Sequence, residues 1–530
     1  MTQTHSARYR LRVALARGAR PVCPDMMAPT PAWIQRGACT ALVLGLVGCS
    51  AVRPPSAPPA AMPVVPPAVT IAPVTPTVPA PVVPTPAPVE PAPVLPPAVL
   101  TPAPVPVLPA ATVVAPRMVS VNLDDPKDPV FGLGRMHQIA LTLAAPEWNI
   151  LQTSSANRGA GGGQGGSDYT QADGRIVHIG SGFGGFFPWA HADASFAGEE
   201  FGNVGLRYRG NYSFTSSSAA APMRANFKLK IDVYGAKGSW RGVKTFNFNA
   251  GVLDTSLTRE ALSFALFRAS GVPASRTAYA ELRFTVPGLY NHVRGGNYVM
   301  IENVNKTFLK EVLPPGDGLL MKPEGLSGGI QGQGASWTVY QSRFRPERTA
   351  TPHEQQRVME FSQLISQTDV ALFRSKVGTY LDVDEFLRFV AVNAFIENWD
   401  SYIGGSHNYY FYLDPSDDKF RFLPWDEDLA MGARGGMGGR NFTMAVPYSG
   451  NQPLIYWLLD DPAVQTRYRE ILKELSEGGL SVASINRLCD TVESALGQKG
   501  IAPRLYLQAR ASGLASLVAS WFPPAVPAAR

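Results

Sequence analysis

The chain has 530 residues with a mild net charge of +6 and unusually high glycine and proline, 50 and 48 residues, both unevenly placed. No lysine or arginine block in the body is long enough to grip a nucleic-acid backbone, which sets that partner aside. Of the four cysteines, Cys23, Cys39 and Cys49 precede the body and only Cys489 lies in it, which excludes a disulfide framework there and leaves Cys489 as a buried thiol rather than a nucleophile.

Near the start, Arg36 flanks an apolar run over 38–47 that ends Leu46-Val47-Gly48-Cys49-Ser50. A positive flank, a short apolar core and small residues before a cut predict a secretory signal, too short for a membrane span. The ending resembles a bacterial lipobox, with Cys49 as the lipidated residue; a generic signal in which Cys49 is incidental is the alternative. The region 1–49 is longer than such a signal needs, so Met26 or Met27 is a candidate start. Ser50 after the cysteine favours the outer membrane in a cell that has one. The expected location is the cell envelope, exported and lipid-anchored.

Residues 50–118 are nearly all Pro, Ala, Val and Thr. Proline at this density fixes φ, removes donors and prevents a packed core. The segment is read as a disordered stalk, reaching roughly 200 Å at about 3.1 Å per residue in polyproline II.

The folded body is expected over 119–530. Residues 136–143 alternate in part like a strand and 145–151 read as a short helix. The glycine-rich stretch 158–166 lacks the Lys-Ser/Thr ending of a P-loop and is taken as a flexible loop. Residues 204–214 predict a strand entering a turn at Gly210-Asn211. Residues 227–233 predict a second strand that puts Lys228 and Lys230 on one face. A helix is expected over 254–270, capped by Asp254 or Ser256 and stopped by Gly271. Strands are expected over 279–286 and 297–301, a glycine-rich loop over 327–336, helices over 353–374 and 382–398, and mostly helix over 453–521.

The most informative stretch is 397–432. Asp400 and Asn408 precede a β-prone aromatic run, 409–413; a turn-forming link, 414–418, leads to a second run, 420–425; Asp426 and Asp428 follow. A hairpin returns on itself, so the residues at its open end converge. Carboxylates and an amide brought together make an all-oxygen set suited to Mg²⁺ or Mn²⁺ held together with a phosphate. A carboxylate left off the metal can orient or deprotonate a hydroxyl. A glycine-rich segment, 432–439, comes next and is read as mobile.

The run N-W-D (398–400), H-N-Y-Y-F-Y-L-D-P (407–415) and F-R-F-L-P-W-D-E-D-L-A-M-G (420–432) resembles the signature of the CotH kinase family, atypical secreted kinases like spore coat protein H. The resemblance spans roughly 136–475. It implies an α+β, two-lobed, kinase-like fold, with a strand-rich N-lobe over about 119–304 and a helical C-lobe over about 305–530. It implies Asp400 as catalytic residue and Asp426, Asn408 and, less centrally, Asp428 as metal ligands. R-Y-R-G-N-Y-S (207–213) matches the family turn, so that Arg209 and Gly210-Asn211 cover the phosphates. The following strand would supply the phosphate lysine, Lys230 for preference with Lys228 close behind. By analogy with kinases Glu260 pairs with that lysine, and Glu302 links the lobes near the adenine.

The function implied is ATP-dependent phosphoryl transfer to Ser, Thr or another hydroxyl of a surface or envelope protein. H-R-D and D-F-G triplets are absent, so this rests on the family pattern. A non-catalytic surface or coat-type binding protein retaining the fold is the alternative. A metal-dependent hydrolase is disfavoured, because His407 beside Asn408 does not make a histidine-rich metal site.

Overall fold

The computed structural model describes residues 128–156, 167–180, 185–217, 221–323, 329–433, 443–448 and 452–523. The signal region, Cys49, the proline-rich stalk, the 158–166 loop and most of 432–439 lie outside the described residues.

The first half is built of strands: β1 (Met136–Thr142), α1 (Ala145–Gln152), β2 (Ser155–Ala156), β3 (Ser167–Thr170), β4 (Ile176–Gly180), β5 (Gly185–Pro188), β6 (Ala190–Phe196), β7 (Glu199–Tyr208), α2 (Tyr212–Ser217), β8 (Phe227–Lys230), β9 (Thr245–Asn249), α3 (Arg259–Ala269), β10 (Thr277–Val286) and β11 (Tyr290–Glu302). Seven strands close a barrel in the order β1-β10-β11-β9-β8-β7-β6, and β2-β5-β4-β3 form a separate sheet. Side chains alternate across a strand, so Phe227 and Leu229 join Leu206, Phe246, Phe248, Phe284 and Tyr298 in the barrel core. Lys228 and Lys230 are thereby turned outward. Barrel closure leaves no long edge exposed along these strands.

The second half is mainly helical: α4 (Lys306–Val312), β12 (Leu319–Met321), α5 (Trp337–Phe344), α6 (Pro352–Ser366), α7 (Val370–Lys376), α8 (Val383–Ile396), α9 (Tyr402–Gly405), β13 (Tyr409–Asp414), β14 (Lys419–Pro424), α10 (Pro453–Leu459), α11 (Pro462–Glu477), α12 (Val482–Leu496) and α13 (Arg504–Trp521). A second core joins these helices to α3 and to the sheet β12-β13-β14. Cys489 is buried in it, with a free thiol. The chain is thus α+β with two lobes, each with its own apolar core. No helix among the described residues is long and apolar enough to cross a membrane.

Several expected boundaries move, each for a local reason. The helix expected from Asp254 begins at Arg259, because the Asp254 carboxylate accepts from the backbone N–H groups of Ser256 and Arg259 at 3.2 and 2.8 Å and holds a turn instead. The helix expected over 353–374 is two: Gln367 is extended, and Asp369 caps a new helix by accepting from Leu372 N at 3.0 Å. The strand expected over 227–233 ends at Lys230. The strand expected over 204–214 ends at Tyr208, and the chain turns through Gly210 (φ +88°) into α2. A Cβ at Gly210 would crowd only Ser213 Oγ, the end of a side chain that can rotate away, so it is the positive φ that calls for glycine here.

Candidate active site

Asp382 caps α8 by accepting from Glu385 N at 3.1 Å, and the buried residues along this helix pack into the C-lobe core. The helix ends at Glu397 in a left-handed conformation (φ +50°). Arg510 from α13 donates to the carbonyls of Phe395 and Ala394 at 3.0 and 2.7 Å, satisfying acceptors that a helix end leaves open. Arg510 also pairs with Glu397 at 2.7 Å, and the Tyr506 hydroxyl donates to the same carboxylate. The following turn is held by Asn398: its side-chain oxygen accepts from Asp400 N at 3.0 Å and its carbonyl accepts from Ser401 Oγ at 2.7 Å. The Asp400 side chain is left 45% exposed.

Strands β13 and β14 pair antiparallel from Tyr409↔Pro424 to Asp414↔Lys419, which is the expected hairpin. At its open end Trp425 N donates to Asn408 O at 3.2 Å, and both Asn408 (φ +52°) and Asp426 (φ +59°) are left-handed. Such backbone is uncommon outside glycine, asparagine and aspartate, the last two being the residue types found here. Asn408 Nδ2 donates to Asp400 Oδ2 at 3.1 Å, and His407 Nδ1 lies 3.8 Å from Asp400 Oδ1. Glu427 is fully buried and accepts from Asn398 Nδ2 at 2.6 Å.

From the N-lobe come cations and one carboxylate. Arg207, Lys228 and Asn247 are cross-strand neighbours on β7, β8 and β9. Arg209 donates to Asn249 Oδ1, and Asn249 Nδ2 donates to Glu260 Oε2 at 2.5 Å, tying the turn after β7 through β9 to α3. The Arg209 guanidinium lies 5.4 Å from the centre of the Trp425 ring, and Lys322 Nζ lies 5.6 Å from it. Asn249, Asp254, Glu260 and Asp428 line one small cavity.

The electrostatics of the two sides are opposite. Burial, then the neighbouring Asp426, pushes the Glu260 carboxyl up to about 8, against the pull of Arg209 and Asn249. Burial, then Asp426 and Glu260, holds Asp428 well above the usual carboxylate range. Burial raises Glu427 well above it too, while the hydrogen bond from Asn398 opposes the shift. On the other side, burial and then Arg207 and Arg209 bring Lys228 down to about 7. Burial brings Arg207 down to about 9, against the pull of Asp168. Crowded carboxylates face a need for cations, and crowded cations a need for an anion.

The structure therefore brings together Asp400, Asn408, Asp426, Asp428, Glu260, Arg209 and Lys228. It does not bring Lys230 or Glu302 to them. Lys230 points to Asp232 at 3.8 Å and lines a separate groove. Glu302 is engaged by Arg276, which donates to it at 2.9 and 2.6 Å and also pairs with Asp128 and Glu311. Glu260 meets Asn249 and Arg209 rather than a lysine. Arg207, Asn249, Lys322, Trp425 and Glu427 are site residues that sequence reasoning passed over. Among the described residues no three Asp, Glu, His or Cys groups converge as a ready metal cage. Mg²⁺ takes one or two carboxylates and completes its shell with phosphate oxygens and water. Asp426, Asp428 and Asn408 are oxygen donors of that kind.

A strand-rich lobe, a helical lobe and a paired set of acidic and basic groups between them define a kinase-like domain. Residues 206–502 match the family model described as CotH kinase protein, and the chain belongs to that family. It is 26% identical over 254 residues to the inner spore coat protein H of Bacillus subtilis (strain 168), across 47% of this chain and 67% of that protein. Solved structures with partial similarity include the Helicobacter pylori proinflammatory kinase CtkA, 8% identical with a TM-score of 0.29, over 55% of this chain and 90% of that one. Another is a chain of the Shewanella oneidensis MR-1 toxin–antitoxin complex of HipA, HipB and operator DNA, 12% identical with a TM-score of 0.26, over 57% and 61% of the two chains. At those scores neither adds to the description of the fold.

Proposed function

We propose that this chain transfers the γ-phosphoryl group of ATP to a hydroxyl of a surface or envelope protein, from a position anchored to the cell envelope through Cys49. The observation that carries the reading is the division of charge around Trp425. Arg209 and Lys322 lie over its ring, Arg207 and Lys228 stand beside Arg209, and Asp426 follows it directly in the chain. A nucleotide triphosphate with a divalent cation carries the complementary charges. Membership in the CotH kinase family supports the same reading.

In this reading Arg207, Arg209 and Lys228 hold the phosphates, where the family resemblance preferred Lys230 with Lys228 close behind. Asp426, Asn408 and Asp428 would hold Mg²⁺ or Mn²⁺, which when bound offsets the charge developing on the phosphoryl oxygens. Asp400 orients the acceptor hydroxyl and takes its proton, while the hydrogen bond from Asn408 Nδ2 fixes the carboxylate. The hydroxyl oxygen bonds to the γ-phosphorus as the β,γ-bridging P–O bond breaks; ADP leaves, and the proton passes from Asp400 to solvent.

The test is calorimetric titration of the full chain with ATP, with and without Mg²⁺ or Mn²⁺. Metal-dependent binding that Asp426→Ala removes is expected. Failure to bind nucleotide with either metal would favour a surface protein that keeps the fold without the chemistry.

A further inference from the structure

We infer that Glu427 and Asn398 form a positioning pair that keeps the acceptor-side aspartate and the metal-side aspartate in register; this rests on the phosphoryl-transfer reading above. Asn398 and Glu427 are both fully buried. Asn398 uses both ends of its amide: the oxygen accepts from Asp400 N at 3.0 Å, and Nδ2 donates to Glu427 Oε2 at 2.6 Å. Glu427 directly follows Asp426. Across the site, Asn408 Nδ2 donates to Asp400 Oδ2 at 3.1 Å, and Asn408 O accepts from Trp425 N at 3.2 Å.

The contacts close a ring. It runs from Asp400 to Asn408, from Asn408 to Trp425, along the chain through Asp426 to Glu427, and through Asn398 back to Asp400. A second strap lies just outside it, where Met431 N donates to Ile396 O at 2.6 Å. The two aspartates sit on different segments that share no sheet or helix, and a short error in their separation would cost rate. A buried side-chain hydrogen bond rigidifies the groups it joins, and losing one partner leaves the other buried and unpaired at a cost. Glu427 touches no reacting atom in this account; it acts through Asn398 and through the backbone of Asp426.

The experiment compares the full chain with Glu427→Gln, Glu427→Met, Asn398→Ala and the double variant Asn398→Ala/Glu427→Met. Amide hydrogen exchange is read at residues 398–401 and 425–431, beside turnover and the KM for ATP. Glutamine keeps an acceptor for Asn398 Nδ2, so E427Q is expected to match the parent in exchange and in rate. E427M and N398A are each expected to raise exchange in both segments by about tenfold and to lower kcat by a similar factor with KM little changed; the double variant should be no worse than either.

The inference is overturned if each substitution loosens only its own segment, if the two effects add, or if E427Q is as damaged as E427M, which would make charge and not register the point. A lowered melting temperature with unchanged exchange and kcat would likewise leave Glu427 a mere core group. Exchange does not require phosphoryl transfer, so an inactive parent would overturn the kinase reading while the exchange data still decide this one.

Discussion

Lys228 Nζ donates to Asn303 Oδ1 at 3.0 Å, joining β8 to the segment that leaves β11, while Lys230 on the same face of the same strand turns away to Asp232. Only Lys228 therefore stands with Arg207, Arg209 and Lys322. Lys228→Met is expected to weaken ATP binding by about tenfold or more, the scale of one charge-assisted contact, and Lys230→Met by less than about threefold. Titration calorimetry on both variants checks this; equal losses would place the phosphates elsewhere.

The lowered Lys228 ammonium gives a pH signature. Its folded pKa of about 7 lies below the ordinary lysine value of 10.5, so between those limits the folded chain holds fewer protons than the unfolded one. This group therefore costs stability below about pH 7, and the cost is relieved as pH rises toward 10.5. A bound phosphate restores the charged form. ATP binding at pH 8 is then expected to take up protons, and by a smaller amount in Lys228→Met, as read from calorimetry in buffers of different ionisation enthalpy.

Glu260 makes the opposite contribution. Burial and Asp426 raise it to about 8 from 4.5, so its favourable contribution is present at low pH and lost as pH rises from about 4.5 through 8. Asp426→Asn removes part of the repulsion, and the variant is expected to melt higher than the parent at pH 8 and close to it at pH 5. Added Mg²⁺ should raise the parent's melting temperature more at pH 8 than at pH 5. Thermal unfolding at the two pH values reads both effects.

Glu302 is occupied by Arg276 and is nearly buried, its side chain 6% exposed. Glu302→Gln is expected to cost about 1–2 kcal/mol of stability, since Arg276 keeps Asp128 and Glu311, and to leave ATP affinity within about twofold. Denaturant unfolding and calorimetry separate the two. A large loss of affinity at unchanged stability would return Glu302 to the nucleotide site.

The hairpin and the delivery of Asp400 by α8 were legible because both depend on local pattern: two β-prone runs around a turn, and an apolar stripe of helical period. Which of two lysines on one strand face meets the site was not, because the alternation that pairs them says nothing of how far along the strand the cleft begins. Glu427 escaped notice for a related reason. A glutamate among loop aspartates reads as solvated, and only the partner Asn398, 29 residues away, shows that it is buried. The start of α3 and the break between α6 and α7 were set by aspartate side chains that bond their own backbone, a choice that periodicity does not record.

The most direct measurement incubates the full chain with γ-labelled ATP and Mg²⁺ or Mn²⁺ beside Asp400→Ala and Asp426→Ala, and follows label into protein. The account predicts incorporation by the parent and a fall of at least about a thousandfold in both variants, with Asp400→Ala still binding nucleotide. Incorporation that survives either substitution, or a parent that binds metal and nucleotide but passes no label to any hydroxyl offered, would contradict it.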